Sequence, residues 1–204
     1  MSRGSSAEKK LLGLQRRFIK ARSAKIRISG NELMALPDPG ARKFLKQVAL
    51  GKITKARRPH RETALLVLGL RGSYNAIPPL LQALKAPDQR IRDAALLGLS
   101  EVRLRKGATG ILKQKRTWAR STNLDKIALA LLRSDPDGAQ VQAWFRVQLT
   151  SKRPQDRIAV LQSLLLLDHP SKVWHKLVEL AAETKHRKVQ DMAARVLAAF
   201  ESRK

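Results

Sequence analysis

The feature that most constrains this 204-residue chain is an internal near-repeat. The segment HRETALLVLGL at His60–Leu70, shifted by 31 positions, falls on IRDAALLGLSE at Ile91–Glu101. In that register Ala64 meets Ala95, Leu65 meets Leu96, Leu66 meets Leu97 and Leu68 meets Leu99. Similar openings recur at Leu124 (LDKIALALL), Ile158 (IAVLQSLLLL) and Val189 (VQDMAARVL), so units start near 60, 91, 124, 158 and 189. A spacing in the range of about 20–50 residues is that of stacked repeats, in which one unit cannot bury its apolar face alone and neighbours must cover it.

Each unit reads as two helices. Pro59 opens the first helix of a pair, helix A, and Arg71-Gly72-Ser73 turns the chain. Asn75 is the expected N-cap of the second helix, helix B, with Pro78 and Pro79 in its first turn, where missing N–H groups cost little. Pro87-Asp88 then breaks AIPPLLQALK and opens the next unit. Later B helices are expected at 107–119, 138–149 and 171–183, an earlier one at 40–50, and a capping helix at 187–200. Aromatic residues make up only 4% and Leu and Ala dominate, which also favours helix-on-helix packing over a β-sandwich. The expected fold is therefore all-α: a basic N-terminal segment over 1–39, then a repeat domain over 40–204 with about five helix pairs.

Ala76–Val102, AIPPLLQALKAPDQRIRDAALLGLSEV, resembles HEAT repeats of the PBS-lyase type. These end helix B with a leucine-rich LLxAL, break at Pro-Asp, and begin helix A with an aliphatic-Arg-x-x-Ala-Ala pattern. VQDMA at Val189–Ala193 echoes that opening. The likeness is strong over 59–102, fair over 122–200 and absent over 1–39. It implies an α-solenoid whose B helices line the concave face. It does not imply lyase activity, because the repeat is a scaffold shared by many functions.

Charge sets this solenoid apart. Forty-two Lys and Arg face sixteen Asp and Glu, a net +26. Such a chain repels itself and attracts polyanions. The excess is uneven. Residues 1–60 hold sixteen cations and three acids, residues 91–120 hold eight and two, and residues 121–150 balance at three each.

In the N-terminal segment a helix is expected from a Ser5-Ser6 cap to about Arg22. Leu11, Leu12, Leu14, Phe18 and Ile19 share one side; Lys9, Lys10, Arg16, Arg17 and Lys20 share the other. Such a helix can dock by its apolar face, order on a polyanion, or lie on a membrane surface. Residues 23–39 read as an extended basic link with a short helical turn at Asn31–Ala35.

The second concentration is RLRKGATGILKQKRTWAR, Arg103–Arg120, with seven cations and no carboxylate. On a helical wheel Trp118 lies about 20° from Ile111, while Lys113, Arg116 and Arg120 cluster opposite within about 60°. Arg103, Arg105 and Lys106 lead into that helix. A solvated helix face ordinarily mixes signs, because like charges three or four residues apart repel. Sign purity therefore points to a docked polyanion, with phosphate gripped by Arg forks and Lys point charges.

The resulting candidate nucleic-acid-binding set is Arg103, Arg105, Lys106, Lys113, Lys115, Arg116 and Arg120, with Arg16, Arg17, Lys20, Arg22, Lys25 and Arg27 from the N-terminal segment. Lys55, Arg57 and Arg58 form a weaker third group. Gly107-Ala-Thr-Gly110 spells the GxxG of KH domains, but that clamp needs strands around it and reads better as helix-start glycines. Trp118, Trp144 and Trp174 fall on B helices, where core packing is the stronger expectation than base stacking.

Catalytic signals are missing. Cysteine is absent, the four histidines lack metal-ligand spacing, and there is no Walker, nucleophile-elbow or HExxH motif. No catalytic residue, metal or cofactor is expected. The expected function is non-catalytic binding of nucleic acid through its phosphates, slightly favouring structured RNA or a ribonucleoprotein over DNA. The alternative is a protein-interaction scaffold for acidic partners, which the neutral stretch 121–150 favours. A HEAT-like DNA glycosylase is a minor third reading, sharing only basic charge, B-helix Trp and the repeat period. No run of about 18 apolar residues occurs, and no secretory signal core. A cytoplasmic, nucleoid- or ribosome-associated location is expected, with the mitochondrial matrix as alternative because residues 1–30 are rich in Arg, Lys and Ser with Glu8 as the sole acid.

Overall fold

The computed structural model describes residues 6–36, 40–118 and 123–203. Among them are twelve α-helices and no strand, so the fold is all-α. The chain divides into two compact units, Met1–Arg103 and Leu104–Lys204.

The first unit holds α1 (Ser6–Lys20), α2 (Ser23–Met34), α3 (Gly40–Ala49), α4 (Arg58–Leu70), α5 (Ile77–Ala83) and α6 (Gln89–Val102). The second holds α7 (Arg105–Trp118), α8 (Leu124–Ser134), α9 (Ala139–Leu149), α10 (Pro154–Leu164), α11 (Lys172–Ala182) and α12 (Arg187–Glu201). Both have the two-layered packing of a helical repeat. In the first unit α4 packs on α2 and on α6, while α3 packs on α1 and on α5. In the second, α10 packs on α8 and α12, while α9 packs on α7 and α11. The A helices begin at 58, 89, 124, 154 and 187, close to the starts read from the sequence.

Local chemistry explains the boundaries. Pro59 sits in the first turn of α4, and Asp88 caps α6 by accepting from the Arg90 N–H at 2.8 Å. Asn75 is not the N-cap of helix B expected from the sequence, since Ala76 precedes α5. A 3₁₀ turn over Tyr74–Ala76 intervenes, and the Ser73 hydroxyl accepts from the Asn75 N–H at 3.2 Å. The adjacent prolines 78 and 79 lie at the start of α5, so the chain enters through a tighter turn. Where α4 crosses α6, a Cβ on Gly98 would lie 2.7 Å from the Leu65 carbonyl oxygen, and one on Gly69 would strike the Gly98 backbone. Only glycine lets these two helices approach so closely.

A further regularity runs through the A helices. The fourth residue of α4, α6, α10 and α12 reaches back to a carbonyl of the preceding B helix or the loop after it. Arg61 Nε donates to Ala49 O at 3.2 Å, and Arg92 Nη1 to Ala86 O and Pro87 O at 2.7 and 2.6 Å. Arg157 Nε donates to Ser151 O at 2.6 Å, and Gln190 Nε2 to Thr184 O at 2.7 Å. Ile127 takes this place in α8 and is buried instead. Arg71 grips Leu33 O and Met34 O at the end of α2 and Leu36 O just after it, and Arg203 grips Leu165 O and Leu167 O after α10. Helix C-termini leave carbonyls without intrahelical donors and carry partial negative charge, so a guanidinium there satisfies both needs. Part of the arginine excess is therefore structural.

The N-terminal segment departs from the sequence reading. The helical turn expected at Asn31–Ala35 is the end of a longer helix, and residues 23–30 are helical rather than an extended link. Ile26, Ser29, Gly30 and Leu33 form a buried stripe at helical spacing, and α2 lies against α4. Serine, glycine and β-branched isoleucine give this stretch low intrinsic helicity, and burial of the stripe overrides it. Helix α1 matches its expected span; Ser5 lies outside the described residues. Leu14 and Phe18 are buried, and Phe18 meets Phe44 and His60 edge-on at centroid distances of 6.0 and 5.4 Å. Helix α1 is thus docked through Leu14 and Phe18, while Leu12 of the expected apolar face is 53% exposed, and α1 and α2 continue the two layers.

Candidate functional site

In the first unit the candidate cations Arg16, Arg17, Lys20, Arg22, Lys25 and Arg27 are all exposed, the first three on the polar side expected of α1. Two adjoining hollows collect most of them. One, of about 510 Å³, is lined by Arg16, Arg17, Lys20, Ala21, Lys25, Ser29 and Glu32 between α1 and α2. Its charge is partly balanced, because Arg17 pairs with Glu32 at 3.5 Å. The other is a cleft of about 790 Å³ lined by Lys20, Arg22, Lys55 and Arg57, with apolar walls from Ile19, Ile26 and Pro59. The structure thus brings Lys55 and Arg57, a separate and weaker group in the sequence, beside the N-terminal cations. Arg58 pairs with Glu62 at 3.4 Å, and Arg27 lines neither hollow.

The other stretch is divided between the units. Arg103 ends the first, exposed and in the left-handed region at φ 52°. Arg105, Lys106 and Lys113 belong to α7 in the second and are exposed. Arg105 pairs with Asp135 at 3.1 Å; the pair is largely solvated on the arginine side and contributes at most about 1 kcal/mol. The side chains of Lys115, Arg116 and Trp118, and Arg120 entirely, lie outside the described residues, so the expected Lys113–Arg116–Arg120 face does too. Gly107 and Gly110 lie within helix α7, which is not the strand-flanked loop of a KH clamp.

Trp144 and Trp174 are core residues. Trp144 meets Phe145 and Phe145 meets Trp174, each pair edge-on, at 5.2 and 5.0 Å. Neither indole can stack on a base or anchor a peptide from outside. Two histidines serve capping and packing: His60 Nδ1 accepts from the Arg57 N–H at 3.1 Å, and the His175 ring lies 5.1 Å from the Phe200 ring. Among the described residues no group of three or more His, Asp or Glu could hold a metal ion, and no helix is long and apolar enough to cross a membrane.

One feature of the second unit escaped the sequence reading. An open groove of about 400 Å³ runs between α9 and α11, lined by Ala139, Gln142, Ala143, Arg146, Val147, Val173 and Leu177. Val147 is 64% exposed and Val173 40%. The signal was present in GAQVQAWFRVQL. Val141, Trp144, Phe145 and Leu149 make the buried face, which leaves Val147 on the side turned to solvent.

Paired helices stacked in two layers define a helical-repeat protein. Residues 43–117 match the family model of HEAT repeats, so this part of the chain, from α3 into α7, is built of HEAT repeats. No curated protein matches the chain. Among solved structures it is similar to a chain from the complex of CpcE and CpcF of phycocyanin lyase from Nostoc sp. PCC7120, at 15% identity and a TM-score of 0.49, covering 100% of this chain and 96% of that one. It is also similar to human deoxyhypusine hydroxylase, at 11% identity and a TM-score of 0.40, covering 96% and 97%.

Proposed function

We propose that this protein is a HEAT-repeat scaffold that recruits an acidic protein partner, without catalysis of its own. The observation that carries this reading is the groove between α9 and α11. Its floor is apolar, its one charged lining residue is Arg146, and no carboxylate lines it. Exposed Lys172 and Lys176 precede the lining residues Val173 and Leu177 in α11. An acidic segment with one apolar side would bury Val147 and Val173 while its carboxylates met these cations. Adjacent B helices are where helical repeats offer extended binding surfaces.

The test is fluorescence anisotropy with a labelled Glu- and Leu-rich amphipathic peptide. Val147→Asp with Val173→Asp places two carboxylates on an exposed surface, so the fold should persist while affinity drops at least about tenfold, the equivalent of one lost apolar anchor. Unchanged affinity would exclude the groove as the docking site.

A second reading, docking on nucleic-acid phosphates, is favoured by a different observation: the exposed cations of α1 and α2 and of α7. Titration with duplex DNA, duplex RNA and structured RNA over a salt series distinguishes the two. Phosphate docking requires a steep loss of affinity with salt, shallower by about one unit of log–log slope for each contacting cation removed. The peptide scaffold instead responds to the valine substitutions.

A further inference from the structure

The cleft in the first unit differs from ordinary basic surface. Lys20 and Arg22 from the end of α1 and the start of α2 face it together with Lys55 and Arg57 from the segment before α4. No carboxylate is among its lining residues. None of these four cations forms a salt bridge among the described residues, whereas Arg17, Arg58, Arg105 and Arg153 do. A concavity walled by one sign of charge focuses its field and concentrates counter-ions.

Two further features point to a bound anion. The cleft is walled in part by the first turn of α4, where the partial positive charge of the helix terminus adds to the side chains. His60, only 2% exposed, also lines it. Its Nδ1 accepts from the Arg57 N–H, so the neutral ring carries its proton on Nε2, and that buried atom has no hydrogen-bond partner. Thr54 adds a hydroxyl. The volume of about 790 Å³ lies within the range of small-ligand sites, about 300–1,000 Å³.

We propose that this cleft binds a small oligophosphate, a ligand carrying two or three linked phosphate groups. Two arginine forks and two lysine point charges suit several oxyanions held close together better than one carboxylate. The apolar walls of Ile19, Ile26 and Pro59 leave room for an organic substituent. The site belongs to the first unit and does not depend on the groove in the second.

Calorimetric titration of the full chain with inorganic tripolyphosphate tests this, with ATP and a short oligothymidylate as parallel arms. Lys20, Arg22, Lys55 and Arg57 are exposed, so neutral substitutions leave packing intact. Arg22→Gln with Lys55→Gln should weaken tripolyphosphate at least about tenfold, the loss of a charge-assisted contact. Lys9→Gln with Lys10→Gln removes the same charge from exposed positions outside the cleft and should change affinity less than about twofold. ATP binding on the same residues extends the site to nucleotides; tripolyphosphate alone marks a purely inorganic or non-nucleotide ligand. Absence of binding, or equal weakening by both double variants, overturns the proposal. So does tighter binding of the oligothymidylate that alone responds to the cleft variants, which assigns the cleft to a nucleic-acid strand.

Discussion

Arg92 shows how little a count of cations reveals about their work. It is 5% exposed, and its guanidinium holds two carbonyls between α5 and α6. The Arg of the aliphatic-Arg-x-x-Ala-Ala opening is legible in the sequence; that it faces inward to backbone oxygens is not, because Arg elsewhere in the same helices faces water. Replacing Arg92 with Met keeps most of the volume and leaves those oxygens without their donor. Urea denaturation should register a loss of about 2–3 kcal/mol. Arg195→Met, on the exposed side of α12, should stay within about 0.5 kcal/mol. Equal effects would mean that the forks do not stabilise the repeat.

At the scale of elements, α1 and α2 are the instructive case. The amphipathic pattern of α1 is plain, and its docking follows from Leu14 and Phe18 on one side. Only the last turn of helix α2 is legible, as the helical turn expected at Asn31–Ala35, since Ser23, Ile26, Ile28 and Gly30 lower helicity and no repeat motif marks the stretch. Its stability comes from Ile26 and Leu33 in the core of the first unit. If packing rather than propensity holds both helices, Phe18→Ala should cost about 3–5 kcal/mol. It should also expose the many Lys and Arg of α1 and α2 to trypsin before the rest of the first unit. Uniform proteolysis across the chain would contradict that coupling.

For the whole molecule, +26 on 204 residues is a standing repulsion. Arginines bound to carbonyls keep their charge, and the described ion pairs relieve only a few cations. Thermal unfolding between about 20 and 300 mM NaCl should therefore show the melting temperature rising with salt, as screening shortens the reach of the repulsion. Sodium tripolyphosphate at equal ionic strength should raise it further, because a ligand that binds only the folded form stabilises it by mass action. A flat or falling profile with salt would mean that the charges are already compensated within the fold.

Repeat period, helix pairing and most of the A- and B-helix positions followed from the sequence alone, because one buried face per helix imposes a pattern that a linear reading can detect. So did the exposure of Arg16, Arg17 and Lys20, which lie opposite the apolar face of α1. Only the tertiary structure decided which cations share a hollow. Lys20 and Arg22 stand more than thirty positions from Lys55 and Arg57 in the chain, yet the turn into α2 and the segment before α4 set them around one cleft. The same holds for the α9–α11 groove and for the arginines that hold helix ends. Periodicity specifies the face a side chain occupies; packing specifies the partner it meets there.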